Sequence, residues 1–167
     1  MKRVMIIGQP GSGKSTLARL LGQKTGLPVH HIDQIHWMSG WNERPKPEKI
    51  AMALEVQESD AWILEGGLAA TKDHRLARCD TLINLDFQLP LRAWRVAKRT
   101  LLHYGKTRPD LPDNCPERFS LEFWTWIWET RQTGRHANLR WMAEAGPNVT
   151  VHHLRNPAQV RRFLQTV

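Results

Sequence analysis

The 167-residue chain has only two cysteines, Cys79 and Cys115. Two cannot build a disulfide framework, and so few suit a reducing compartment, so a cytoplasmic location is expected. No apolar run approaches the roughly 18 residues that a membrane span needs, so no membrane partner is expected. The first apolar stretch begins almost at residue 1, which leaves no room for a signal peptide. Internal repeats and low-complexity tracts are missing too. Acidic residues are short: 16 Asp and Glu stand against 24 Lys and Arg, a formal net charge of +8. That balance fits anionic ligands, whether nucleotides, phosphates or nucleic acid. The length suits one domain with a good core.

What is present begins with Gly8-Gln9-Pro10-Gly11-Ser12-Gly13-Lys14-Ser15-Thr16. It fits G-x-x-x-x-G-K-[ST], the phosphate-binding loop. An apolar run at 4–7 precedes it and reads as a buried parallel strand. Leu17, Leu20 and Leu21 follow at helical spacing, so the loop lies at a strand-to-helix turn. The residue types suit the chemistry. Gly8, Gly11 and Gly13 permit positive φ and a close backbone approach. Backbone N–H groups, with those of Pro10's neighbours and Ser12, can then converge on phosphate oxygens. A helix starting near Lys14 adds its positive end. Lys14 supplies a charge for β- and γ-phosphates, and Ser15 a hydroxyl for Mg²⁺. A chance match in a glycine-rich turn is the bland alternative.

Strands are expected at 4–7, 29–33, 61–65, 81–86 and 150–154. Helices are expected at 15–25, 46–59, 72–78, 90–104, 120–129, 135–145 and 157–166. Five apolar strands alternating with helices predict an α/β fold, a doubly wound five-stranded parallel sheet. Ligands of such sheets bind beyond the carboxyl ends of the strands. Residues 8–14, Asp33, Glu65-Gly66-Gly67, Asp86 and Arg155-Asn156 would share that cleft. Asp33 could orient or deprotonate an acceptor, contact Mg²⁺ through water, or merely cap a turn. Glu65 stands where an acid of the Walker-B type would, or is a solvated carboxylate at a sheet edge.

Arg95 and Arg99 lie one helical turn apart, and so do Arg131 and Arg135. Either pair could instead be a solvated basic face. Eight tryptophans are many for this length, and Trp124, Trp126 and Trp128 fall within five residues. On a helix they would pack onto the core; stacking on nucleic-acid bases is the alternative. His30, His31, Asp33 and His36 could suggest a metal site. Alternation along a strand would keep them from clustering.

These pieces resemble the adenylate kinase-like family of small P-loop kinases over nearly the whole chain. Within it they resemble a bacterial subfamily called topology modulation, or adenylate kinase-related, proteins. The supporting segments are His31-Ile-Asp-Gln-Ile-His-Trp37, Arg75-Leu-Ala-Arg-Cys-Asp80, Leu85-Asp-Phe87, Gly105-Lys-Thr-Arg-Pro-Asp110 and Cys115-Pro-Glu117. The subfamily's Asp-Gly-Asn-Tyr turn is here Glu65-Gly66-Gly67-Leu68. The resemblance implies a nucleoside monophosphate kinase-like P-loop fold in one domain, with a mobile helical lid at about 104–134. It implies ATP and Mg²⁺ on residues 8–16. Arg95 would lie on the base, Arg99 on phosphate, and Asn156-Pro157 around the adenine. The acceptor would lie over Asp33, Gly66, Gly67 and Arg75. Arg131 and Arg135 would bring charge to the transferring group. The acceptor implied is a hydroxyl metabolite or a nucleoside monophosphate, and the loop end Lys14-Ser15-Thr16, which resembles that of shikimate and gluconate kinases, points to the hydroxyl. The rival is a nucleotide-regulated nucleic-acid-binding protein that affects DNA topology.

Overall fold

The computed structural model describes all 167 residues. In chain order the elements are β1 (Arg3–Gly8), α1 (Lys14–Thr25), β2 (Val29–His31), α2 (Ile32–His36), β3 (Trp37–Met38), β4 (Asn42–Glu43), α3 (Lys46–Glu58), β5 (Trp62–Glu65), α4 (Lys72–Arg78), β6 (Thr81–Leu85), α5 (Leu89–His103), α6 (Leu121–Glu129), α7 (Thr133–Ala143), β7 (Thr150–Leu154) and α8 (Pro157–Thr166). Five strands form one parallel sheet in the order β2-β5-β1-β6-β7. The chain crosses from β5 over β1 to β6. The open crevice beyond the carboxyl ends therefore falls at β1, where such sheets hold their ligands.

Alternation along β1 divides the core. Val4 and Ile6 face Leu17, Ala18 and Leu21 of α1 and Phe163 of α8. Met5 and Ile7 face Ala53 of α3, Leu76 of α4 and Ile32 and Ile35 of α2. Both faces of the central strands are covered, which explains why they read as continuous apolar runs. Each fully buried Leu or Ile contributes about 1.5–3 kcal/mol relative to exposure.

The expected strand at 29–33 is too long. Ile32 and Ile35 are both buried and three residues apart, so the chain turns helical at Ile32 to pack both. The antiparallel β3–β4 hairpin then follows, where the sequence had suggested a loop.

Between α5 and α6 the chain folds back on itself. Tyr104 and Thr107 bridge to Glu117 and Pro116. The joint is charged. Glu117 accepts from Arg99 Nε at 3.1 Å and from Thr100 Oγ1 at 3.0 Å. Arg108 Nε lies 3.0 Å from the other Glu117 oxygen, at an angle too oblique for a hydrogen bond. Arg108 also donates to Asp110 at 2.6 Å. Glu117 is 4% exposed, so its charge is balanced by these groups rather than by water. Glu117→Ala takes the carboxylate from Arg99 and leaves Arg108 with Asp110 alone. Removing one partner of a buried ion pair costs about 3–5 kcal/mol, and a loss of that order in urea unfolding is expected.

Candidate functional site

Residues 8–16 leave the end of β1 and enter α1. Gly11 has φ of +76°, and a Cβ there would meet Arg92 O at 2.4 Å. Gly13 is the N-cap of α1 with φ of +93°. Both positions demand glycine. The loop is braced from α5. Arg92, 2% exposed, donates to Pro10 O at 3.1 Å and to Phe87 O at 3.0 Å. Arg95 donates to Ser12 O at 3.1 Å, with its guanidinium 4.9 Å from the centre of the Phe87 ring. Arg92 was not among the residues expected to matter. Only its helical spacing from Arg95 and Arg99 hinted at a shared role.

Two features fit this loop to an anion. The buried Ser12 Oγ has no partner. Lys14 Nζ has one protein acceptor, Gln9 O at 3.4 Å, a weak contact for an ammonium. Ser15 and Thr16 sit in the first turn of α1, beside its N–H end.

Within reach of the Lys14 charge lies a group of carboxylates. Asp33 sits in the first turn of α2 rather than at a strand end. Its surface is open to water, yet it is walled by protein, as in a concave cleft. Desolvation, then the neighbouring Glu65 charge, raises its carboxyl above the ordinary range, against the pull of Lys14 and Arg108. Asp110 adds to the repulsion. Lys14, Asp33, Glu65, Arg108 and Asp110 thus act on one region. Glu65, at the end of β5, is 2% exposed and pairs with His31 Nδ1 at 2.7 Å. It is a buried, held acid rather than a solvated one. Arg108 and Asp110 belong to the segment 105–110 that carries part of the family resemblance, but no role at the site was expected of either.

The remaining expected residues divide. Gly66 is buried, with φ of +108°, and Gly67 is exposed at the turn after β5. Arg75 does not reach the cleft. It is fully buried behind the turn, donates to Gly66 O at 3.0 Å, and faces the Trp141 ring at 5.7 Å. Burial lowers its pKa to about 10. Its role is therefore to hold the turn, and the expected direct contact with an acceptor is corrected. Arg99 is tied to Glu117. Burial first, then Arg108, lowers its pKa.

Arg135 grips Asp86 with both ends of its fork, at 2.8 and 2.9 Å. Burial opposes the Asp86 charge, but bonds from Arg135 and His153 outweigh it and hold the carboxyl below its usual range. Arg131 turns onto the Trp128 ring at 4.0 Å. Of the three tryptophans of α6, Trp124 is half-buried, but the other two do not pack as expected. Ile127 is the buried residue of that helix, while Trp126 and Trp128 are exposed. Asn156 caps α8 by accepting from Gln159 N at 3.0 Å, with Pro157 in the first turn. This turn follows β7, and Asp86 N bonds Leu154 O at its end.

No protein-family model matches the chain. The cytidylate kinase of Pyrobaculum aerophilum is 31% identical over 133 residues, covering 71% of this chain and 69% of that protein. The chain belongs to the family of that enzyme, the small P-loop kinases. An adenylate dimethylallyltransferase of Agrobacterium tumefaciens is 33% identical over 73 residues, only 42% of the kinase and 30% of the transferase. Among solved structures, shikimate kinase from Bacteroides thetaiotaomicron superposes with a TM-score of 0.58 at 15% identity, covering 99% of the kinase and 95% of that chain. Shikimate kinase from Acinetobacter baumannii, in complex with shikimate, gives 0.54 at 15% identity over 99% and 90%. At such identity these two show the fold alone. The kinase has no helix long and apolar enough to cross a membrane.

Proposed function

We propose that this kinase transfers the γ-phosphoryl group of ATP to a hydroxyl of a small metabolite. The observation that carries the reading is the carboxylate Asp33, raised in pKa and near enough to Lys14 of the phosphate loop to feel its charge. A hydroxyl must lose its proton during transfer, and a carboxylate whose pKa is raised by its surroundings is a stronger base for that task. Glu65 and Asp110 would repel an acceptor that arrives as a phosphate dianion.

In this reading the backbone of residues 8–16 and Lys14 hold the phosphates of ATP. Mg²⁺, held by Ser15 with Glu65 or Asp33 acting through water, would neutralise charge on the phosphates. Gly66 and Gly67 border the acceptor, and Arg75 fixes their turn. Arg95 and the Asn156-Pro157 turn flank the base. Arg99 meets phosphate from α5, and Arg131 and Arg135 bring charge from the α6–α7 turn, at the end of a lid at about 104–134 within a single domain. Transfer then needs positioning and charge neutralisation more than covalent help. The likeness to topology modulation proteins rests on the same segments and adds no chemistry. The rival nucleic-acid reading fits less well, because Arg92, Arg95, Arg99 and Arg108 point their charge at internal acceptors.

A second reading, a nucleoside monophosphate acceptor, is favoured by the likeness to cytidylate kinase. Calorimetric titration of Mg·ATP, then labelled-ATP transfer to a pool of hydroxyl metabolites and to CMP, AMP and other monophosphates, separates the two. Transfer to hydroxyl compounds alone is expected. Transfer to a monophosphate moves the assignment to the second reading, and no ATP binding overturns both.

A further inference from the structure

Gln9 is a variable position of the phosphate-loop pattern, yet here it is 8% exposed. Its side chain leaves the loop and reaches the turn between α6 and α7. Gln9 Nε2 donates to Thr130 O at 3.1 Å and to Arg131 O at 2.9 Å. Both carbonyls lie past the end of α6. Thr130 O also accepts from Gly134 N at 2.9 Å, so the amide joins a bond that already ties the turn to α7. The fit is close on the other side. A Cβ at Gly134 would come within 3.3 Å of Gln9 Nε2, tighter than ordinary contact. The same residue touches Lys14, since Lys14 Nζ donates to Gln9 O. One residue therefore joins the phosphate-binding lysine, through its backbone, to the turn that carries Arg131, through its amide. Arg135 follows one helical turn later and is fixed on Asp86.

We propose that Gln9 is a positioning residue, whose amide sets the α6–α7 turn, and with it Arg131 and Arg135, against the phosphate loop. This rests on the reading that those arginines serve phosphoryl transfer. The amide touches neither phosphate nor acceptor in this role. It acts by placement, and a displacement of about 1 Å in such groups can cost as much as 10²-fold in rate.

The test uses the full chain with Gln9→Met, which keeps the length and apolar shape but donates nothing. Three readouts are taken: amide hydrogen exchange over 130–136 without ligand, calorimetric affinity for Mg·ATP, and the slow hydrolysis of ATP by water. Exchange should quicken by tenfold or more, and hydrolysis should fall by about tenfold or more while ATP affinity falls far less. Gly134→Ala, which crowds the same amide, should act alike. Combined with Gln9→Ala it should cost less than the sum of the two, because the crowded partner has gone. Exchange and hydrolysis equal to the parent's, or additive effects in the pair, would overturn the proposal. An equal fall in affinity and rate would overturn it too, making Gln9 a ground-state contact. If the parent binds no Mg·ATP, the kinase reading fails, while the exchange measurement still decides the latch.

Discussion

Lys14→Ala should abolish detectable ATP turnover while leaving the melting temperature near that of the parent. The ammonium has a single weak protein contact, at 3.4 Å to Gln9 O, so its removal takes little from the fold. The loop's shape is held instead by its glycines and by Arg92 and Arg95 from α5. What goes is the one full positive charge that the loop itself brings to the phosphates. In a water-excluded site such a charge acts at low effective dielectric, where its interactions are several-fold stronger than in water. A loss of ~10³-fold or more in turnover is expected, on the scale of other transition-state cations. Calorimetric titration of Mg·ATP and a thermal melt check the two halves. Unchanged affinity together with unchanged turnover would remove residues 8–16 from the site.

Asp33→Asn should lower transfer to the true acceptor by ~10²-fold or more, the scale of a lost general base. ATP affinity should change little, because Lys14 and the backbone of residues 8–16 hold the phosphates. The substitution should also raise the melting temperature at neutral pH. The sign follows from linkage. The folded state lifts the Asp33 carboxyl above its unfolded value, so ionising it opposes folding. Above the folded pKa the parent carries that full cost and the Asn variant carries none. As pH falls through the folded pKa toward the unfolded one, the cost fades, and below both the two proteins melt alike. In the parent, transfer should fall in acid with a midpoint above the usual carboxylate range. Single-turnover transfer and melts across pH 4–8 read both effects, an approximate window set by the ordinary carboxylate and neutral ranges. A variant that phosphorylates a monophosphate as fast as the parent would transfer the assignment to a nucleotide acceptor.

The phosphate loop was legible because its demands are local. Positive φ at Gly11 and Gly13, a lysine and a helix start all fall within a few residues. The central strands β1, β5 and β6 were legible from their apolar runs, since helices cover both of their faces. The end of β2 was not. Ile32 and Ile35 fit either period over so short a stretch, and the choice lay with the core they had to fill. Arginine partners were illegible for a related reason. Arg135 meets Asp86 across 49 residues, and Arg95 meets Ser12 across 83. Spacing can place two arginines on one helix face, but the acceptor they find is set by tertiary packing. Arg75 shows the limit. Nothing in its polar neighbourhood announces full burial against Trp141. Arg108, Asp110 and Glu117 went unassigned because a chain that folds back through isolated bridges carries no periodic signal.

The paired arginines change what an arriving polyanion meets. Arg92, Arg95, Arg99, Arg108 and Arg135 each already hold a carbonyl or a carboxylate. A phosphate that recruits one of them must displace that acceptor, so the event is an exchange of partners. Its free energy is the difference between two contacts, much smaller than either alone. Fewer bound counterions are then released than a formal charge of +8 suggests. Nucleotide affinity should accordingly fall only shallowly with added salt, and most of the slope that remains belongs to Lys14.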